Sequence, residues 1–256
     1  MTINQAFEIL KDSGGIRAAR IIIDNNKKLS WWRVFLMSRA LRRGVPVAKI
    51  IHQKWFYGLC FYTNKHTLDP RPDTETLVES VLHDKPMNPK ILDLGTGTGC
   101  IIISLVKNIK NATGVAVDIS SGAIRVAKRN MKKLGVAQSV RVIKANFAKP
   151  NCIHEKFDVI VSNPPYIAYG DKRVNSAATH DPKIALYAKN NGLIAYENIA
   201  RNAKKWIVSK GRIYLEIGAK QEKQVIKIFE KNGWQYVRGD KDLGGILRVL
   251  VFTVDA

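Results

Sequence analysis

The sequence predicts an α/β protein: a doubly wound, seven-stranded, mostly parallel sheet preceded by a small helical unit and a β-hairpin linker. Three observations carry this. From Lys90 onward, strand-like and helix-like patterns alternate. Over residues 3–43, apolar residues recur at helical spacing. Between the two, residues 45–68 are aromatic and rich in β-formers.

In order along the chain, Phe7, Leu10, Ile16, Ala19, Ile22 and Ile23 trace apolar helical stripes, with Asp12-Ser13-Gly14-Gly15 breaking them into two helices. Ser30 is placed to cap a third helix through Trp31, Val34, Phe35 and Met37, and Gly44 ends it. Ile50-Ile51, Trp55-Phe56-Tyr57 and Phe61-Tyr62-Thr63 read as the linker hairpin, with Gly58 in its turn. Two prolines stiffen Asp69–Glu75, after which Thr74 or Asp73 is a candidate cap for a helix over 76–83. Strands follow at 91–94, 114–117, 140–144, 157–162, 212–217, 234–238 and 247–253, and helices at 100–108, 121–134, 191–203 and 221–232. The expected units are therefore 1–44 (helical), 45–68 (hairpin linker) and 69–256 (sheet domain). In such a sheet, ligands bind outside the carboxyl ends of the strands.

Composition narrows the functions open to the chain. With 46% hydrophobic and 25% charged residues it reads as globular, not disordered. Apolar runs such as Ile101-Ile102-Ile103 stop far short of the about 20 residues of a membrane span. Cys60, Cys100 and Cys152 are far apart, and the five histidines are scattered. No disulfide framework or metal site is expected, and a reducing cytoplasm is the expected compartment. The net charge of +21 suits an anionic partner. However, residues 1–90, 91–162 and 163–256 each carry +7, so the charge marks no separate nucleic-acid-binding arm.

Four motifs carry chemistry, each at a strand tip. Ile91-Leu92-Asp93-Leu94-Gly95-Thr96-Gly97-Thr98-Gly99 runs a buried strand into a glycine-rich turn that lets backbone approach a ligand closely. The G-x-G-x-G spacing departs from the G-x-G-x-x-G of dinucleotide sites and fits S-adenosylmethionine better. The absence of G-K-[ST] rules out a P-loop. Asp118 ends the next strand, where a carboxylate accepts from both hydroxyls of a ribose; a structural reading as helix cap is open to Ser120 or Ser121 instead. Asn146-Phe147 follows the third strand, with a polar edge and an aromatic face suited to adenine. Ser162-Asn163-Pro164-Pro165-Tyr166 follows the fourth. Its two prolines remove two amide donors and stiffen the turn. The Asn163 side-chain oxygen and the Pro164 carbonyl can then each accept one N–H of a planar NH2 group, on which Tyr166 can stack.

The cofactor loop, Asp118 and Asn163-Pro164-Pro165-Tyr166, in this order, resemble class I S-adenosylmethionine-dependent methyltransferases that act on planar nitrogens, whose sheet is Rossmann-like. Further stretches resemble the HemK/PrmC family within that group. They are Gly44-Val45-Pro46-Val47, Phe56-Tyr57-Gly58-Leu59, Pro70-Arg71-Pro72-Asp73-Thr74-Glu75, Asp181-Pro182, Leu215-Glu216-Ile217-Gly218 and Lys241-Asp242-Leu243. The resemblance covers residues 44–256. It implies methylation of the glutamine side-chain nitrogen in the Gly-Gly-Gln motif of peptide chain release factors. The implied cofactor contacts are Gly95, Thr96, Gly97, Thr98, Gly99, Asp118, Phe147 and Asn163. The implied substrate contacts are Asn163, Pro164, Pro165 and Tyr166, with Asn163, Pro164 and Tyr166 in the catalytic role. No metal is called for, a monomer is expected, and residues 1–44 are expected to grip the release factor. The sequence departs from the family pattern at Asn146, where an acidic residue is usual, and at Asp69, where an apolar one is. Two alternatives use the same Asn-Pro-Pro-Tyr chemistry: a DNA or RNA adenine-N6 methyltransferase and a ribosomal-protein glutamine methyltransferase. The first needs a target-recognition region, whereas residues 167–256 are filled with sheet elements.

Overall fold

The computed structural model describes residues 1–26, 29–149, 151, 153–171 and 180–255. Helix α1 spans Ile3–Asp24 and is started by a capping box between Thr2 and Gln5. The break expected at Asp12–Gly15 is a kink at Gly15, whose φ of 84° and ψ of 166° leave the helical region. Ser30 caps α2 (Trp31–Arg42) by accepting from the Arg33 amide. Leu10, Ala19, Ile22 and Val34 form the small core of this unit.

The linker differs from expectation at its start. Val47–Ile51 forms a short helix, α3, instead of joining the hairpin. The reason is packing: Val47, Ile50 and Ile51 share one helical face and lie against the core of α1 and α2. The hairpin proper is β1 (Lys54–Phe56) with β2 (Leu59–Phe61). Its two-residue turn, Tyr57-Gly58, has φ of 47° and 69°, the positive pair that a tight right-twisted hairpin needs.

The large sheet then forms from seven strands. They are β3 (Lys90–Leu94), β4 (Thr113–Asp118), β5 (Val140–Lys144), β6 (Phe157–Ser162), β9 (Ile207–Glu216), β10 (Gln235–Lys241) and β11 (Leu247–Thr253). Their order is β10-β11-β9-β6-β3-β4-β5, with β11 antiparallel to both its neighbours and the other pairs parallel. Helices α4 (Glu75–His83), α5 (Cys100–Asn108), α6 (Ser121–Lys133), α8 (Ile194–Asn202) and α9 (Glu222–Lys231) flank it. Alternation along β3 shows the double winding. Ile91 belongs to the core that includes α4 and α5, while Leu92 and Leu94 belong to the core that includes α8 and α9. A two-residue pair not foreseen from the sequence, β7 (Ile167–Ala168) with β8 (Tyr187–Ala188), follows β6, and α7 (Lys183–Leu186) leads into β8.

The strand order reverses between β3 and β6. There the crossovers leave in opposite directions and open a crevice at the carboxyl ends of the strands. Ser162 fixes the relation of the two tips by donating to the Leu94 carbonyl at 2.7 Å. No helix among the described residues is long and apolar enough to cross a membrane. Cys60 and Cys100 carry free thiols, and Cys152 lies outside the described residues.

Candidate active site

A cavity of about 320 Å³ occupies the crevice. Of the residues singled out in the sequence, Gly95, Thr96, Gly97, Thr98, Asp118, Phe147, Asn163 and Pro165 line it together. Gly99, Pro164 and Tyr166 lie outside its wall. Gly99 begins α5 with φ of 81°, and Pro164 is buried in the turn. The Tyr166 side chain packs against the core on the α8–α9 side, where burial pushes its phenol well above the usual range.

The glycine turn is held by backbone bonds and by two carboxylates. The amides of Gly95 and Thr96 both donate to the Val117 carbonyl at 2.9 Å. Gly95, Gly97 and Gly99 all have positive φ, a region where a side chain would be strained. The Gly97 amide donates to Asp118 Oδ2 at 3.0 Å, and the Ser120 amide to Asp118 Oδ1 at 2.8 Å. Ser120 supplies the cap of α6, accepting from the Ala123 amide at 3.2 Å. Asp118 is therefore not consumed as a helix cap. Its carboxyl is raised above the ordinary range by burial, which the two amides oppose. Beneath the turn, Asp93 is fully buried and accepts from the Thr96 hydroxyl at 2.7 Å, while its Oδ1 has no partner. Burial pushes this carboxyl up to about 7.

These features fit S-adenosylmethionine. The turn would pass under its amino-acid part, Asp118 would take the ribose hydroxyls, and Phe147 would face the base. Asn146 Oδ1 accepts from the Ala148 amide at 2.9 Å in a local turn, which keeps this side chain at the cavity edge.

The other half of the cavity depends on side chains that are distant in sequence. Asn163 Nδ2 donates to Thr74 Oγ1 at 3.0 Å. Thr74 was a candidate helix cap, but it lies in a 3-10 turn with helical backbone and makes no cap bond. Its hydroxyl is committed to Asn163 instead. The other candidate cap, Asp73, pairs with Arg248 at 2.6 Å. Behind Thr74 and Asn163 lies the buried carboxyl of Glu216, whose charged form both neighbours favour.

A third group anchors the rim. Buried Lys49 of α3 pairs with Asp69 at 2.8 Å and with Asp181 Oδ1 at 3.0 Å. The latter is an ionic contact, not a well-angled hydrogen bond, since Asp181 Oδ1 has no hydrogen-bond partner. Lys49 also donates to Thr63 Oγ1 at 3.2 Å and to the Thr67 carbonyl. Arg71 completes the set, pairing with Asp181 at 2.7 Å. Asp69, one of the two residues that depart from the family pattern, thus has a buried cation as its partner. At the mouth, Tyr169 is 65% exposed and stacks on Tyr187 at 5.5 Å. Sequence reasoning missed Thr74 in this role, along with Glu216, Lys49 and Tyr169.

Comparison with known proteins agrees with this fold. The family model described as methyltransferase small domain matches residues 65–183. The crystal structure of a methyltransferase from Pyrococcus furiosus superposes with a TM-score of 0.59 at 18% identity, covering 78% of this chain and 91% of that one, which shows the fold. A bifunctional methyltransferase of Rickettsia felis is 42% identical over 249 residues, 85% of this chain and 47% of that protein. The chain spans about half the length of that relative. A release factor glutamine methyltransferase of Flavobacterium psychrophilum is 34% identical over 256 residues, covering 97% of this chain and 88% of that protein. This chain belongs to the release factor glutamine methyltransferase family. The resemblance read from the sequence is therefore correct, and so is the class I methyltransferase fold expected with it.

Proposed function

We propose that the protein transfers a methyl group from S-adenosylmethionine to the side-chain nitrogen of the glutamine in the Gly-Gly-Gln motif of peptide chain release factors. The observation that carries this reading is Asn163. It stands at the tip of β6, on the same cavity as the glycine turn, and its Nδ2 is committed to Thr74. That commitment leaves Oδ1 as the group free to accept an N–H.

When bound, S-adenosylmethionine supplies an electrophilic methyl group. An amide nitrogen is a poor nucleophile because its lone pair is delocalised into the carbonyl. In this reading Asn163 Oδ1 and the Pro164 carbonyl each accept one N–H of the glutamine. The two bonds orient the nitrogen, favour its pyramidal form and stabilise the positive charge that develops on it. The N–H proton then leaves to water, so no strong base is required. Residues 1–44 dock the release factor, and the exposed stack of Trp31, Trp32 and Phe35 on α2 is the surface they offer. The protein works in the cytoplasm as a monomer.

The test is methyl-labelled cofactor with release factor, ribosomal protein and DNA in parallel. Label on the Gly-Gly-Gln glutamine of the release factor is the expected result. Labelling of DNA alone, or of the ribosomal protein alone, overturns the assignment.

A further inference from the structure

We propose that Glu216 is a positioning residue for methyl transfer: from behind the cavity wall its carboxylate, together with Thr74, holds the Asn163 amide so that only the amide oxygen remains for the substrate's N–H. The proposal rests on the function proposed above and adds a group that function does not use.

Glu216 is the last residue of β9. Its neighbour Leu215 stands opposite Ser162, the last residue of β6, so Glu216 lies level with Asn163 across the parallel pair. It is 2% exposed and does not line the cavity, whereas Thr74 and Asn163 do. The Asn163 NH2 group has two hydrogens: one goes to Thr74 Oγ1, and the Glu216 carboxylate is the neighbouring acceptor toward which the other can turn. The Thr74 oxygen is taken by Asn163, which leaves its hydroxyl hydrogen free to turn toward the neighbouring carboxylate. The ring of three groups closes in one sense when Glu216 is ionised. If Glu216 is protonated, it accepts more weakly and can instead donate, which favours the turned-over Asn163 amide whose oxygen faces away from the substrate.

The remaining oxygen, Oε2, is buried with no hydrogen-bond partner. A carboxylate so poorly solvated is a burden on the fold, and an apolar side chain of similar volume would pack at least as well. A buried, perturbed carboxyl beside a ligand cavity is the pattern expected of a group kept for function.

Several charged or titratable groups face Glu216. Asp73 and Arg248 act on it with opposite sign, the phenols of Tyr166 and Tyr196 lie near it, and the Cys100 thiol senses it from α5. Burial dominates and pushes Glu216 up to about 7, against the hydrogen bond from Thr74. Asp93 reaches the same range, so variants are needed to tell the two carboxyls apart.

The experiment has two arms. In the first, turnover with release factor is followed from pH 6 to 8. Glu216→Gln is expected to lower kcat at the alkaline end about tenfold. The KM values for cofactor and release factor are expected to stay within about threefold. Glu216→Gln also removes the rise of kcat with pH, and Asp93→Asn retains it. Turnover within twofold of the parent with a parallel pH profile overturns the proposal. The second arm needs no substrate. Protein labelled with carboxyl-13C glutamate is titrated by NMR, the Glu216 signal being the one lost in Glu216→Gln. Asn163→Ala removes a donor to the carboxylate and is expected to raise the Glu216 midpoint by roughly half a unit. A midpoint that does not move overturns the proposal. A parent protein that methylates no release factor defeats the functional reading alone, because the titration still judges Glu216.

Discussion

The two halves of the cavity are built on different principles. The half proposed to hold the cofactor is local: Gly95 through Gly99 run from β3 into α5, and one strand later Asp118 ties Gly97 back with a single hydrogen bond. The half proposed to hold the substrate gathers Thr74 from before the sheet, Asn163 from β6 and Glu216 from β9, with Lys49, Asp69 and Asp181 pinning its rim. One half is backbone shape and tolerates no side chain at its three glycines. The other is side-chain orientation and tolerates no lost partner. Damage to the first should therefore appear as weaker cofactor binding, and damage to the second as slower chemistry or a less stable protein.

Four substitutions can break or sharpen this contrast. Lys49→Met leaves Asp69 and Asp181 as buried acids without their shared cation. A loss of about 3–5 kcal/mol of stability is expected. Denaturant unfolding measures it, and a loss below 1 kcal/mol would mean the rim is not held by this network. Asn163→Ala removes the acceptor itself and should raise the barrier by about 2.7–4 kcal/mol. Cofactor affinity, measured by calorimetry, should persist in part, and turnover within twofold of the parent sinks the assignment. Thr74→Val keeps the shape but removes the partner of Asn163 Nδ2, at a cost of about 1–3 kcal/mol. Turnover is expected to fall about tenfold and to return with Thr74→Ser. If Thr74→Val instead weakens the cofactor and spares kcat, the division between the halves is wrong. Asp118→Ala should raise the cofactor dissociation constant about tenfold, equivalent to ~1.4 kcal/mol, with a smaller change in kcat at saturating cofactor. An unchanged dissociation constant refutes the ribose role.

The same contrast explains what could be read from the sequence. The cofactor half was legible because each signal is contiguous: an apolar strand, then glycines, then a helix. Seven strands and their flanking helices followed from periodicity for the same reason. The substrate half was legible only at Asn163-Pro164-Pro165, where two prolines announce a rigid turn. Thr74 was misread because a threonine before a helix is an ordinary cap signal, and nothing local reveals a partner 89 positions away. Glu216 stood within a recognised stretch, but its burial behind Asn163 depends on the pairing of β6 with β9. Val47–Ile51 was misplaced because β-branched residues also fit a helix once a neighbouring helix covers them. Tyr166 was expected over the substrate plane, and its ring instead joins the core, with Tyr169 left at the mouth.

The antiparallel strand β11 carries one more consequence. It is the last strand in the chain, yet it lies inside the sheet between β10 and β9, with Val249 paired to Glu216. During synthesis the glycine turn and Asp118 can take shape as soon as β3 to β5 are present. The strand bearing Glu216 gains its second neighbour only when residues 247–253 arrive, and contacts this remote in sequence form slowly.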